Sequence, residues 1–161
     1  VEVRLPPGFD FSRADDEVRQ PSSGWVDEGV RSVDGTPLPV LPDSSILLPS
    51  SASGPAFLVG KNFRTILRYN NSNSYALAVS LMAQRLAGSP AMQTPWPRDL
   101  QTLTRSQLLA LQAALNGRGF DSGTPDGMMG PATRRGIRQY QRSLGLPADG
   151  YPSLDLLQHL Q

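Results

Sequence analysis

The chain has 161 residues, of which 39% are hydrophobic and 18% charged, which is typical of one ordinary globular domain or two small ones. A net charge of +1 argues against binding to nucleic acid. No run of about 18 apolar residues is present, which excludes a membrane-spanning helix. With no cysteine and one histidine, His159, the chain has no disulfide, thiolate or multi-histidine metal chemistry, and we expect no metal and no cofactor.

The first 36 residues favour one strand and two short helices. Apolar and charged residues alternate over Val1–Leu5, which predicts a strand. Because the chain starts inside this pattern and without methionine, we interpret the N-terminus as a cut edge of a longer protein. Short helices are predicted over Asp10–Arg19 and Ser22–Val30, the second with Trp25 and Val30 packed inward.

Residues 37–60 favour a small buried sheet. Prolines at 37, 39 and 42 each remove a backbone donor, so a helix or a central strand is excluded there. Two short apolar segments follow, Ser45–Pro49 and Pro55–Gly60, and both are predicted as strands.

A helix is predicted over residues 75–87, before Gly88. A short amphipathic helix precedes it, and the polar segment Tyr69–Ser74 supplies candidates for its cap. The long helix is predicted to have one apolar face, which contains Tyr75, Val79, Met82 and Leu86. Leu77 and Leu81 make this face wider.

Residues 90–102 are predicted to be a linker, because prolines stand at 90, 95 and 97 among small polar residues. Two interpretations remain open: an extended linker, or one in which Trp96 docks on a neighbouring domain. Residues 1–89 and 103–161 are therefore expected to be separate domains.

Residues 103–161 predict three helices joined by glycine-containing turns. Thr104 and Gln107 form a capping box at the start of the first helix. Pro125-Asp126-Gly127 and Pro147-Ala148-Asp149-Gly150 are turn signals between helices, and Asp126, Gly127, Gly130 and Asp149 are interpreted as structural turn residues. The expected core positions are Leu108, Leu111, Leu115, Thr133, Ile137, Tyr140, Leu144, Leu154, Leu157 and Leu160.

This C-terminal pattern resembles the small three-helix peptidoglycan-binding domain of bacterial cell-wall enzymes. The resemblance runs from about Leu103 to Leu160. The matching residues include Leu108, Leu111, Gln112, Leu115, Gly119-Phe120, Pro125-Asp126-Gly127, Gly130-Pro131, Thr133, Tyr140-Gln141, Gly145-Leu146-Pro147, Asp149-Gly150 and Leu157.

Residues 1–89 resemble the C-terminal part of the catalytic region of B-type lytic murein transglycosylases. The resemblance implies an α+β fold: a lysozyme-like catalytic region with short strands and helices, followed by the all-α binding domain. The matching residues include Val3-Arg4-Leu5, Gly8-Phe9, Trp25, Gly29-Val30, Leu47-Leu48-Pro49, Gly54-Pro55-Ala56-Phe57-Leu58, Asn62-Phe63, Ile66, Arg68-Tyr69-Asn70, Ser72, Tyr75-Ala76 and Ala78-Val79.

The resemblance implies cleavage of the MurNAc–GlcNAc bond, with closure of a 1,6-anhydroMurNAc end instead of hydrolysis. In this family one glutamate acts as the general acid, and it lies upstream of the segment that matches here. Glu2, Glu17 and Glu28 match no acid motif, so we interpret them as structural or solvated. No catalytic residue is therefore expected in this chain, whose first part is expected to pack on an N-terminal catalytic lobe.

By the same resemblance, Tyr69, Asn70 and Tyr75 are expected to bind substrate. A tyrosine offers an apolar ring face and a hydroxyl to a sugar, and an asparagine amide both donates and accepts, as an N-acetyl group requires. The structural alternatives are a half-buried helix residue for Tyr75 and a helix cap for Asn70.

In the binding domain, Arg134, Arg138, Tyr140 and Arg142 are the candidates for contact with stem peptides, because arginine binds carboxylates bidentately. The alternative is a solvated arginine face with Tyr140 in the core. His159 is interpreted as a surface residue.

The predicted function is that of part of a lytic transglycosylase with a cell-wall-binding module. The expected partners are peptidoglycan glycan strands and stem peptides, with no nucleic acid. The expected location is the bacterial periplasm, either soluble or anchored to the outer membrane. The alternative is a non-catalytic peptidoglycan-binding or scaffolding protein; a zinc peptidase or amidase is excluded by the lack of zinc ligands.

Overall fold

In the computed structural model, which describes all residues Val1–Gln161, the strands near the N-terminus form one antiparallel sheet. The strands are β1 (Glu2–Arg4), β2 (Arg31–Ser32), β3 (Ser45–Leu47) and β4 (Ala56–Val59), in the order β2-β1-β4-β3. The predicted strands at the N-terminus and in the two apolar segments are thus confirmed. They belong to the first of two units, which comprises Val1–Phe9 and Arg13–Trp96; the second comprises Asp10–Ser12 and Pro97–Gln161.

Strand β4 is buried on both faces of the sheet, which explains its continuous apolar sequence. Ala56 and Leu58 pack into one apolar cluster with Trp25 and Val30. The alternate residues of β4 pack into a second cluster on the other side, with Phe63, Ala76 and Leu77; they are Phe57 and Val59.

Helix α1 (Ser22–Asp27) confirms the second predicted short helix, and its Trp25 is fully buried. The indole Nε1 donates to the carbonyl of Ser44 at 3.3 Å. The helix predicted over Asp10–Arg19 is wrong, because only a 3₁₀ turn forms there, at Phe11–Arg13. Two aspartates compete with the helix by accepting from the backbone N–H two residues on, in Asx turns at 3.0 Å; they are Asp10 and Asp15.

Two helices, α2 (Lys61–Tyr69) and α3 (Asn73–Leu86), follow the sheet. The helix predicted over 75–87 is confirmed, but only the edge of its predicted apolar face at Leu77 and Leu81 packs against the core. Ala76 and Leu77 are the buried residues of α3, whereas the stripe through Tyr75, Val79, Met82 and Leu86 is exposed. Helical periodicity places residues on one face, but only tertiary packing decides which face is covered.

The segment after α3 contains no helix or strand up to Thr104, which caps the next helix. Its first part is attached to the first unit, because the Glu2 carboxylate accepts from the backbone N–H groups of Gln93 and Thr94 at 2.8 and 2.7 Å. Met92 packs against the second apolar cluster. Trp96 remains 44% exposed, so docking covers only the start of the predicted linker.

The second unit contains three helices, α4 (Arg105–Gly117), α5 (Pro131–Ser143) and α6 (Leu154–Leu160). The predicted capping box of α4 is present, with both reciprocal hydrogen bonds. Most predicted core positions are buried, and Leu154 is partly buried. Leu144 is exposed, because α5 ends at Ser143 and Leu144 is its C-cap. None of the helices of the chain combines the length and apolar character needed to cross a membrane.

Two buried glutamines hold the Asp-Gly turns of this unit. The Gln112 side-chain carbonyl accepts from the N–H groups of Asp126 and Gly127 at 3.0 and 2.9 Å. Gln141 does the same for Gly150, at 2.9 Å, and its amide donates to the Asp149 carboxylate at 2.7 Å. Each of the two Asp-Gly turns is therefore held by a glutamine of the helix that precedes it, an arrangement that we call the clamp.

Candidate functional site

The corner between α2 and α3 brings together the three residues of the first unit that the sequence singled out. Helix α2 ends at Tyr69, and Asn70 is extended, with φ −140° and ψ 110°. Ser72 donates its backbone N–H to the Asn70 carbonyl at 2.7 Å, and its Oγ accepts from the Tyr75 N–H at 3.2 Å. This turn reverses the chain within a few residues, so that the last residue of α2 and the first turn of α3 become neighbours.

Tyr69 and Tyr75 form an exposed aromatic pair at this corner. Their ring centroids lie 6.4 Å apart, with an angle of 33° between the planes. Tyr69 is 84% exposed and Tyr75 39% exposed. Two adjacent rings with water-facing surfaces can pack against the apolar face of a ring-shaped ligand, while their hydroxyls reach its polar edge.

Asn70 directly follows Tyr69 in the chain and is exposed, and its side-chain amide makes no hydrogen bond within the chain. The sequence left open that Asn70 caps α3, but the structure assigns that role to the hydroxyl of Ser72. A serine directly before the first helical residue is a known cap signal, and Ser72 belongs to the polar segment Tyr69–Ser74 that the sequence offered for the cap. The amide of Asn70 therefore has one acceptor and two donor hydrogens available for a ligand.

A general acid requires a raised pKa, and the pKa of Glu28 is instead lowered. The hydrogen bond from Arg13 lowers the pKa of Glu28, and a second bond, from Gln20 at 3.0 Å, acts in the same direction. Glu2 is bound to backbone N–H groups, and Glu17 is exposed. No group of three histidine, cysteine, aspartate or glutamate side chains is placed to hold a metal ion.

The four candidates in the binding domain are not brought together on one exposed face. Tyr140 is 4% exposed, and its ring packs edge-on against Phe120 with centroids 5.4 Å apart. Arg138 is also buried, and its side chain lies over the turn at Gly150, where an added Cβ would lie 3.3 Å from the Arg138 Cγ. Arg134 is half-buried beside the same turn, which leaves Arg142 as the exposed member.

Comparison with protein families assigns both parts of the chain. The family described as "Transglycosylase SLT domain" matches residues 1–84, and the "Putative peptidoglycan binding domain" matches residues 104–160. No curated protein matches the chain.

Two crystal structures of SltB3 from Pseudomonas aeruginosa are similar to this chain over nearly its whole length. The complex with NAG-NAM-pentapeptide is 48% identical, with a TM-score of 0.94, over 99% of this chain and 44% of that chain. The complex with NAG-anhNAM-pentapeptide is also 48% identical, with a TM-score of 0.93, over 99% of this chain and 43% of that chain. This chain thus spans less than half the length of the solved structures that it matches.

These matches confirm the α+β fold class and the resemblance to B-type lytic transglycosylases that the sequence predicted. The chain belongs to the transglycosylase SLT domain family and carries a peptidoglycan-binding domain in its C-terminal part.

Proposed function

We propose that this chain forms one wall of the glycan-binding cleft of a lytic transglycosylase and attaches that enzyme to the cell wall. The reaction is cleavage of the MurNAc–GlcNAc bond of peptidoglycan to give 1,6-anhydroMurNAc ends. The observation that supports it most directly is the exposed Tyr69–Tyr75 pair beside the free Asn70 amide, in a chain of the SLT family. The SltB3 structures contain NAG-NAM-pentapeptide and NAG-anhNAM-pentapeptide.

In this proposal the aromatic pair and the amide have separate roles. Tyr69 and Tyr75 pack against sugar ring faces, which is effective because both rings are already exposed and already adjacent. Asn70 binds an N-acetyl group, since its amide donates to the acetyl carbonyl and accepts from the acetamido N–H. The three residues bind and orient the glycan and transfer no proton.

The general acid of this reaction is proposed to lie outside these 161 residues. The lowered pKa of Glu28 and the structural role of Glu2 support that assignment, because a general acid must stay protonated near neutral pH. The exposed apolar stripe on α3 supports it as well, since Met82 and Leu86 are 65% and 85% exposed and offer a surface on which an acid-bearing lobe packs. Residues 104–160 then hold the enzyme on peptidoglycan in the bacterial periplasm.

The proposal is tested with a neutral GlcNAc oligosaccharide, whose binding is followed through the amide NMR shifts of residues 61–76. We expect Tyr69→Ala to weaken binding about tenfold through loss of ring stacking, and Asn70→Ala about fivefold through loss of hydrogen bonds. Asn62→Ala is the matched control, because this exposed asparagine of α2 also makes no side-chain hydrogen bond. Unchanged affinity in both site variants would contradict the assignment of the cleft.

The position of the acid is tested on purified sacculi. Incubation with the 161-residue chain is expected to release no anhydro-muropeptides detectable by mass spectrometry, while the chain sediments with the sacculi. Release of such products would place the acid within this chain.

A further inference from the structure

A groove of about 680 Å³ runs along α2 in the first unit, and charged side chains dominate its lining. Four of them are basic and two are acidic, so the groove has a net charge of +2 (four minus two). We call it the basic groove. The charged residues that line it are Arg19, Lys61, Arg64, Arg68, Asp16 and Asp43.

Both carboxylates of the basic groove are already paired. Arg64 donates to the Asp43 carboxylate at 2.6 Å and to the Asp43 carbonyl at 2.8 Å. Arg19 donates to the Asp16 carboxylate at 2.9 Å, and Arg64 lies 3.7 Å from the same carboxylate. The Arg64 side chain is only 13% exposed, so this network is part of the wall of the groove.

Lys61 and Arg68 are the two cations that remain free. Both side chains are exposed, and neither makes a hydrogen bond or an ion pair. They stand seven residues apart on α2, which places them on one face about 10 Å from each other. A free guanidinium is suited to a carboxylate, because its planar fork donates two parallel hydrogen bonds.

The basic groove and the aromatic pair share helix α2. Arg68 directly precedes Tyr69, and Asn71 directly follows Asn70; Arg68 and Asn71 both line the groove. Thr65, another lining residue, lies one helical turn before Tyr69 on α2. A substituent that extends from a sugar at the aromatic pair along α2, toward the N-terminus of that helix, therefore reaches a lining residue of the groove within about one helical turn.

We propose that the basic groove binds the carboxylates of the stem peptide attached to the sugar held by Tyr69 and Tyr75, an inference that rests on the proposed function. Arg68 binds the carboxylate nearest to the glycan, and Lys61 attracts a second one further along the peptide. Asn71 donates to the peptide backbone between them.

Two ligands separate this inference from the glycan site itself: NAG-NAM-pentapeptide, and a GlcNAc oligosaccharide that carries no carboxylate. Amide NMR shifts of residues 61–76 report binding, so that any contact made by residues 104–160 is not counted. We expect Arg68→Gln to weaken the peptide ligand about fivefold and Lys61→Gln about twofold, as for exposed charge pairs. The affinity for the oligosaccharide stays unchanged. Arg4→Gln is the matched control, because Arg4 is exposed on β1 and lies outside the groove.

The outcomes are distinct. If Tyr69→Ala weakens both ligands while Arg68→Gln weakens neither, the glycan site stands and the groove proposal is overturned. Equal loss of both ligands in Arg68→Gln would also overturn it, since a carboxylate contact is absent from the oligosaccharide. If Tyr69→Ala affects neither ligand, the proposed function itself fails.

Discussion

Replacement of Gln112 by leucine is expected to destabilise the C-terminal domain strongly, although leucine has nearly the same size and suits a buried position. Gln112 is 1% exposed, and its side-chain amide has five hydrogen-bond partners, three of which share the two N–H groups. Its carbonyl accepts from Asp126 and Gly127, and its NH₂ donates to the Asp126 carboxylate, the Met128 carbonyl and the Thr133 hydroxyl at 2.8–3.1 Å.

The magnitude follows from the groups that lose their partner. The Gly127 N–H is buried at this bond, so its loss costs about 1–3 kcal/mol. The Asp126 N–H and the Met128 carbonyl are only partly buried and can be rehydrated at a smaller cost. We expect a total of about 3 kcal/mol, against about 3–9 kcal/mol for the stability of a domain the size of residues 104–160.

Native-state hydrogen exchange measures this loss within the intact chain. The core amides of Leu111, Leu115 and Ile137 should lose about two orders of magnitude of protection in Gln112→Leu. Gln139→Leu is the matched control, because Gln139 lies exposed on α5 and makes no side-chain hydrogen bond. A loss of protection below about threefold in Gln112→Leu, or an equal loss in the control, would refute the clamp.

Two further substitutions test the turns on which the two units depend. Gly127→Ala should destabilise the C-terminal domain by about 3 kcal/mol or more in urea unfolding, because φ is +69° and the new Cβ would lie 2.8 Å from the Arg105 carbonyl oxygen. Gly119→Ala is the control, since φ is +86° there but the space around it is open, and it should cost about 1–2 kcal/mol. Equal losses of stability in the two variants would show that the approach of the Arg105 carbonyl to Gly127 is unimportant. Ser72→Ala should destabilise α3 by about 1 kcal/mol and increase hydrogen exchange at the Tyr75 amide, because the helix loses its N-cap; unchanged exchange at Tyr75 would contradict that role.

Local signals in the sequence were sufficient for most of the secondary structure. The alternation at Val1–Leu5, the capping box at Thr104 and the positive φ of Gly127 and Gly150 each depend on neighbouring residues, and the structure contains all of them. The helix predicted over Asp10–Arg19 was wrong for a local reason as well, since side-chain acceptors compete with helical hydrogen bonds.

Burial could not be assigned in the same way. Apolar residues that recur every 3.6 residues share one face of a helix, whether or not another element covers that face. The stripe through Met82 and Leu86 therefore has the pattern of a core face, although it is exposed. Arg138 shows the opposite case: both interpretations of it, contact with a stem peptide or a solvated arginine face, require an exposed side chain, but Arg138 is buried and its aliphatic stem covers the turn at Gly150.

The sequence by itself determined the family, the order of the two domains and the type of residue at the candidate site, because these depend on residue identity and short spacings. Only the tertiary structure decided that Tyr69 and Tyr75 are adjacent and exposed, that Ser72 and not Asn70 caps α3, and that Lys61 and Arg68 of α2 remain free. Adjacency, exposure and pairing depend on which surfaces meet when the chain packs, and no spacing along the chain specifies that.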